Sequence, residues 1–341
     1  MNIENFISPQ WLTQAFQTSG LLKTGKVVSY TTKPLTIAAF QQASTSILYP
    51  EYQGNDSSAP ASIVLKLAKG QKEYLFFTQL ALKTAMQQIV ACHYAKLLEN
   101  GTSSIFLLED LTPTHEQTQW PIPPSVAQCY STVACLANFH AIWWNHADLQ
   151  SELLEKSRQD THWLQRIYLA LDRIPAFIDF LDDRLSKDRR NKFEKIAASG
   201  NKAWLPEHPQ HGSTVLHGDA HFWNFLFDRG EDPDKVKVFD WNSWNIGRAT
   251  DDLAYMIGLH WYAQRKLELE EKLLQHYYQK LMAHDISYTW DDLLADYRLS
   301  TIASLLIPVW QWQQGISAAV WWSHLERGFL AFDQWDCMEL L

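Results

Sequence analysis

An α+β protein of two unlike regions is what this sequence predicts, on three observations. Its first third alternates short β-branched and apolar segments with polar turns, the pattern of antiparallel sheet. The remainder spaces its apolar residues at the 3.6-residue period of amphipathic helices. With 341 residues, 46% of them apolar and 20% charged, the chain exceeds the ~250–300 residues near which single cores stop growing. A boundary after residue 110 is therefore expected, with a small β-rich region at 1–110 and a larger, mainly helical one at 111–341.

The elements follow in order. Val27-Val28-Ser29-Tyr30, Ser46-Ile47-Leu48-Tyr49 and Ser62-Ile63-Val64-Leu65-Lys66-Leu67 read as strands. Gly54-Asn55-Asp56-Ser57-Ser58-Ala59-Pro60 collects the turn formers of a hairpin loop. From Glu73 to Leu98 the apolar spacing predicts one long helix or two short ones. Ile105-Phe106-Leu107-Leu108 is a further strand, and Pro113 stops it. Beyond it, helices are predicted over 125–144, 162–185, 251–261, 267–282, 290–306 and 309–330, with strands only at 213–217, 224–227 and 236–239. No internal repeat or low-complexity segment is present.

Composition narrows the function classes. Lys and Arg total 29 against 38 Asp and Glu, a formal charge of −9, so the basic footprint of a nucleic-acid binder is missing. The first ten residues lack the basic and apolar regions of a signal peptide, and no apolar stretch is read as approaching the ~20 residues of a membrane span. A cytoplasmic protein without a membrane partner is the expectation. Cys92, Cys129, Cys135 and Cys337 form no C-x-x-C pair, so they read as reduced packing thiols. The 16 tryptophans, among them Trp310, Trp312, Trp321 and Trp322, read as core and cleft lining rather than a cation cage.

Chemistry concentrates in Val215-Leu216-His217-Gly218-Asp219-Ala220-His221-Phe222-Trp223-Asn224-Phe225-Leu226-Phe227 and the following Lys237-Val238-Phe239-Asp240-Trp241. Asp219 precedes Asn224 by five residues, and Asp240 follows an apolar strand, which is the spacing logic of a kinase catalytic loop and its metal-binding aspartate. Phosphoryl transfer needs a carboxylate to orient and deprotonate the attacking hydroxyl, and hard oxygen ligands to hold Mg²⁺ against ATP. Asp219 is the candidate for the first task, Asn224 and Asp240 for the second. His217 and His221 flank the base and read as braces of its loop, and His140 reads as a core histidine. Turn and cap chemistry is the plain alternative for the Asp and Asn residues, but it does not account for their three-part spacing.

His217-Gly218-Asp219-Ala220-His221-Phe222-Trp223-Asn224, then Phe239-Asp240-Trp241, then Gly247-Arg248-Ala249-Thr250-Asp251-Asp252-Leu253-Ala254 resembles the signature of the aminoglycoside phosphotransferase and choline kinase superfamily. Leu107-Leu108-Glu109-Asp110-Leu111 and Leu136-Ala137-Asn138-Phe139-His140-Ala141-Ile142-Trp143-Trp144 resemble its ecdysteroid-kinase-like branch, so that the likeness covers roughly residues 25 to 260. The resemblance implies a protein-kinase-like fold with ATP and Mg²⁺ as cofactors and a small-molecule hydroxyl as acceptor. It implies a nucleotide-binding first region in which Lys66 positions the phosphates, Glu73 pairs with Lys66, and the backbone at Glu109 and Leu111 meets adenine. It further makes Asp252 a brace of the catalytic loop, and the Trp-rich helices the wall for an apolar or aromatic acceptor.

Two other readings stay open. Lys33 to Ser44, where a kinase carries a glycine-rich phosphate loop, has no glycine, which suits a nucleotide- or ligand-binding protein without turnover. A metal-dependent hydrolase would instead use His217, Asp219, His221 and Asp240 as a first-row metal cluster.

Overall fold

Ile63-Val64-Leu65-Lys66-Leu67-Ala68-Lys69 is apolar on both faces and lies buried except at its last residue, as a strand at the centre of a sheet must. In the computed structural model, which describes residues 7–35, 44–54, 59–99, 101–151, 162–199, 204–205, 209 and 211–341, it becomes β3 of a five-stranded sheet. The other strands are β1 (Lys26–Pro34), β2 (Ser44–Gln53), β4 (Cys92–Leu97) and β5 (Ser103–Leu108), in the antiparallel order β1-β2-β3-β5-β4. Helix α1 (Pro9–Thr18), capped by Ser8 with proline at its first position, lays Leu12 and Phe16 on this sheet among Leu48, Leu65, Leu67 and Leu107. Successive strand residues face opposite ways, so Leu65 and Leu67 send the intervening Lys66 to the other face.

The stretch expected to be helical from Glu73 to Leu98 is corrected. Helix runs through α2 (Lys72–Leu75), a π-helical turn (Phe76–Leu80) and α3 (Ala81–Thr84), and it stops where Ala85 takes φ +48°. Cys92–Leu97 is edge strand β4, held by β5 and by Tyr94 packing edge-on against Trp11 at 5.6 Å. A half-buried run of six residues carries too few apolar positions for its period to separate helix from strand.

The described chain divides into two units, Met1–Ile122 with Trp223–Asn242, and Pro123–Phe222 with Ser243–Leu341. The first also holds a three-stranded sheet of β6 (His115–Glu116), β8 (Phe225–Asp228) and β9 (Lys237–Val238). In the second, α4 (Val126–Trp143), opened by a Ser125–Gln128 capping box, packs on α8 (Ala263–Met282). Helices α5 (His162–Leu181) and α6 (Lys187–Ala198) pack together, as do α9 (Trp290–Ser304), α10 (Ile307–Gln313) and α11 (Ala318–Gln334). The two-stranded pair β7 (Thr214–Leu216) and β10 (Asn245–Gly247) leads into α7 (Ala249–Leu253) and a second π-helical turn, Ala254–Gly258.

Two further expectations are corrected here. The helix expected over 309–330 is two helices, because Gly315 turns at φ +71° between α10 and α11. Trp290–Gln313 is, against the sequence reading, long and apolar enough to span a membrane. Of its most apolar 18 residues 78% are buried within the protein, which makes it a core element of the second unit. The amphipathic helices α1 and α6 were not foreseen. All four cysteines are free thiols, and burial pushes Cys92 up to about 12 and Cys129 up to about 11.

Candidate active site

In the first unit the ammonium of Lys66 meets two carboxylates that the sequence holds apart. Its Nζ donates to Glu73 Oε1 at 2.8 Å and to Asp240 Oδ1 at 2.7 Å, and all but 7% of the lysine is buried. Burial by itself lowers a lysine pKa, but the charges of Asp240 and Glu73 outweigh it and hold this one above its ordinary value. Burial raises the Glu73 carboxyl above the ordinary carboxylate range, with Lys66 opposing. Glu73 reaches Lys66 because a single helical turn begins three residues after β3 ends.

The β8–β9 hairpin explains why Asn224 and Asp240 belong together. Phe225 pairs with Val238, so the residues flanking that pair come to one end of the hairpin, where Phe239 N–H donates to the Asn224 carbonyl at 3.1 Å. Asp240 then adopts φ +66°, a left-handed conformation unusual outside glycine, and Asn242 Nδ2 donates to its Oδ1 at 3.1 Å. The next residue, Trp241, stacks face to face on Phe76 at 3.9 Å, which ties this turn to the helix that carries Glu73.

At the end of β5 the backbone of Glu109 donates to the Ala91 carbonyl at 2.9 Å. The Leu111 carbonyl accepts from Thr114 and His115, while Asp110 caps Thr112. Among the described residues this leaves the Glu109 carbonyl and the Leu111 N–H without a hydrogen-bond partner. An acceptor and a donor two residues apart are thus available on one short stretch of backbone.

In the second unit the loop after β7 is fixed by Asp252. Its Oδ2 accepts from His217 N–H at 2.7 Å and its Oδ1 from Gly218 N–H at 2.9 Å. Asp252 is in turn held by His140, whose Nε2 lies 3.2 Å from Oδ2 and whose Nδ1 lies 2.8 Å from the Tyr277 hydroxyl. With Tyr277 donating to Nδ1, the remaining ring N–H of His140 points at the carboxylate. Gly218 has φ +76°, and a Cβ there would lie 2.1 Å from the Ser243 carbonyl oxygen, so no larger residue fits. Asp219 emerges from this brace with Oδ1 accepting from the Tyr255 hydroxyl at 2.8 Å and Oδ2 lying 3.6 Å from His221 Nε2. Burial and the Asp219 charge keep the Tyr255 phenol protonated well above its ordinary pKa.

The structure therefore joins Lys66, Glu73 and Asp240 in one cluster and His217, Asp219, His221 and Asp252 in another, while Asn224 stands at the end of the β8–β9 hairpin. It adds Tyr255, which the sequence reading did not assign, and gives His140, read from the sequence as a core histidine and buried as such, a bond to Asp252. Tyr255 had one signal, its place three residues after Asp252 on the same helical run, a spacing that shares a face. Among the described residues no three His, Cys, Asp or Glu side chains gather to hold a metal ion, so the hydrolase reading finds no cluster to rest on. Of the glycine-free segment, residues 36–43 lie outside the described residues, as do Asn55 to Ser58 of the expected turn.

The architecture is shared with solved small-molecule kinases. A Ralstonia eutropha JMP134 protein classed as an aminoglycoside phosphotransferase matches with a TM-score of 0.57 at 14% identity, over 96% of this chain and 98% of its own. Ethanolamine kinase from Plasmodium vivax matches at 0.55 and 12%, over 90% and 81%. Choline kinase from Streptococcus pneumoniae matches at 0.54 and 12%, over 98% and 100%. At these identities the likeness speaks for the fold, which is protein-kinase-like. No curated protein sequence matches the chain. A profile of the ecdysteroid kinase-like family matches residues 64–287, and the chain belongs to that family.

Proposed function

We propose that this protein is an ATP- and Mg²⁺-dependent phosphotransferase that phosphorylates a hydroxyl of a small molecule, drawing on cytoplasmic ATP. The observation that carries the reading is the buried Lys66 ammonium held between Glu73 and Asp240, since a cation so fixed is placed to meet nucleotide phosphates. Asn224 and Asp240 suit Mg²⁺, because they are hard oxygen donors and few in number, as an ion that keeps waters and phosphate oxygens in its shell requires. When bound, Mg²⁺ offsets the charge that develops on the transferred group. The Glu109 carbonyl and Leu111 N–H form the donor and acceptor pair for the adenine edge.

Asp219 orients the acceptor hydroxyl. As the acceptor oxygen bonds to the γ-phosphorus, its proton passes to the Asp219 carboxylate, and the bond from that phosphorus to the β-phosphate bridging oxygen breaks, leaving ADP. Tyr255 fixes the direction of the carboxylate, and Asp252 with His140 fixes the loop that carries it. The test is label transfer from γ-labelled ATP and Mg²⁺ to a panel of alcohols. Transfer by the wild-type chain and its loss in Asp219→Asn is the expected result; ADP release indifferent to Asp219 contradicts the assignment.

A further inference from the structure

Tyr255, whose hydroxyl donates to Asp219, is the second residue of the π-helical turn Ala254–Gly258. At the 3.6-residue period of an α-helix, the residue five positions on stands roughly 140° round the axis. A π-helical turn bonds residue i to i+5 and closes most of that angle. Here it brings His260 back over Tyr255. The His260 Nδ1 lies 2.9 Å from the Tyr255 carbonyl oxygen, and the two rings meet edge-on at 4.8 Å. A carbonyl oxygen only accepts, so this ring nitrogen carries the proton. All but 5% of His260 is buried, and burial holds the imidazole neutral, well below the ordinary histidine pKa.

Two further contacts place the ring. His324 of α11 meets it edge-on at 4.8 Å, and the His324 Nδ1 pairs with Gln311 Oε1 of α10 at 2.9 Å. Burial brings His324 down to about 3, so it too is neutral. His221 meets the His260 ring at 5.7 Å, and its Nε2 lies 3.6 Å from Asp219 Oδ2. One buried ring thus packs against both Tyr255, bonded to Asp219 Oδ1, and His221, beside Oδ2. We propose that His260 is a positioning residue for phosphoryl transfer: its hydrogen bond to the Tyr255 carbonyl sets the π-helical turn that aims the Tyr255 phenol at Asp219. The inference rests on the phosphotransferase reading above and adds to it the group that holds Tyr255 in place.

In the full chain labelled with 3-fluorotyrosine, the Tyr255 fluorine resonance is identified by its loss in Tyr255→Phe. His260→Phe, which keeps a ring and removes the donor, is expected to move that resonance toward its position in Asp219→Asn. His260→Asn, which keeps an N–H donor, is expected to leave it in place. Histidine nitrogen NMR of the wild-type chain, assigned by the signal lost in His260→Asn, is expected to find His260 as the Nδ1–H tautomer, a reading that serves if His260→Phe does not fold. Asp219-dependent ADP release with Mg-ATP and the alcohol panel then measures the consequence. His260→Phe is expected to lower kcat ~3- to 10-fold, the range of one hydrogen bond, with KM for ATP unchanged. The same substitution is expected to cost less than ~2-fold where Tyr255 is already Phe, because the two act as one unit. An Nε2–H tautomer, a fluorine resonance unmoved in His260→Phe, or an equal loss of kcat with and without the phenol overturns the inference. Release that is absent, or that persists in Asp219→Asn, instead overturns the phosphotransferase reading, while the NMR readings still decide the contact.

Discussion

Tyr255 and Asp219 are 36 residues apart in sequence and 2.8 Å apart in the second unit. A phenol donating to a carboxylate is a charge-assisted hydrogen bond, with a net contribution of about 1.5–3 kcal/mol. If that bond sets the direction in which the base accepts its proton, Tyr255→Phe is expected to lower kcat by roughly 10- to 100-fold while leaving KM for ATP unchanged. Steady-state kinetics on the Asp219-dependent reaction check this. An unchanged kcat shows that Asp219 is oriented without the phenol. At this scale the sequence was informative where residue type and spacing coincide: Asp219, Asn224 and Asp240 could be picked out as one motif, and Lys66 as the lysine inside an apolar strand. It was less informative for Tyr255 and His140, since a tyrosine and a histidine on apolar helices look like core residues until the fold shows what they bond.

The loop after β7 depends on backbone geometry that only glycine supplies at Gly218. An alanine there takes a left-handed conformation, at a cost of roughly 1–2 kcal/mol, and also drives its Cβ against the Ser243 carbonyl. Gly218→Ala is therefore expected to lose about 3 kcal/mol or more of stability, read as a lowered midpoint in denaturant. A variant as stable as the wild type shows that the β7–β10 pair can open without cost. Strands β2, β3 and β5 were legible because each concentrates β-branched or apolar residues between turn formers. Cys92–Leu97 was not, because its residues are half-buried and its strand character comes from pairing with β5. The break at Gly315 was missed for a similar reason: a continuous apolar spacing hides a single residue that turns at positive φ.

Across the whole molecule, the single cut expected after residue 110 meets a chain whose contacts group differently. Residues Trp223–Asn242 leave the second unit and pack in the first, because the β8–β9 hairpin pairs with β6 and because Trp241 stacks on Phe76. A boundary drawn from composition cannot show a segment that returns. The buried imidazoles also set a global pH dependence. His260 and His324 have lowered pKa values in the folded state, so below the ordinary histidine value of ~6.5 the unfolded chain binds protons that the native chain does not. Their contribution to stability is full above pH ~6.5 and is lost progressively as pH falls toward about 3, the value of His324, with a slope of up to ~1.4 kcal/mol per pH unit for each ring. Denaturant unfolding between pH 7 and 5 checks this against His324→Phe, in which the slope is expected to be shallower. An equal slope removes His324 from the account.

If Lys66, Asn224 and Asp240 hold Mg-ATP as proposed, the thermal midpoint reads it directly. It is measured for the full chain with Mg-ATP, with ATP plus chelator, and with neither. A ligand at 100 times its Kd adds ~2.7 kcal/mol, enough to raise the midpoint by several degrees. The predicted result is a rise of that size that needs Mg²⁺ and disappears in Asp240→Ala. No rise at millimolar Mg-ATP, or a rise that Asp240→Ala retains in full, contradicts it.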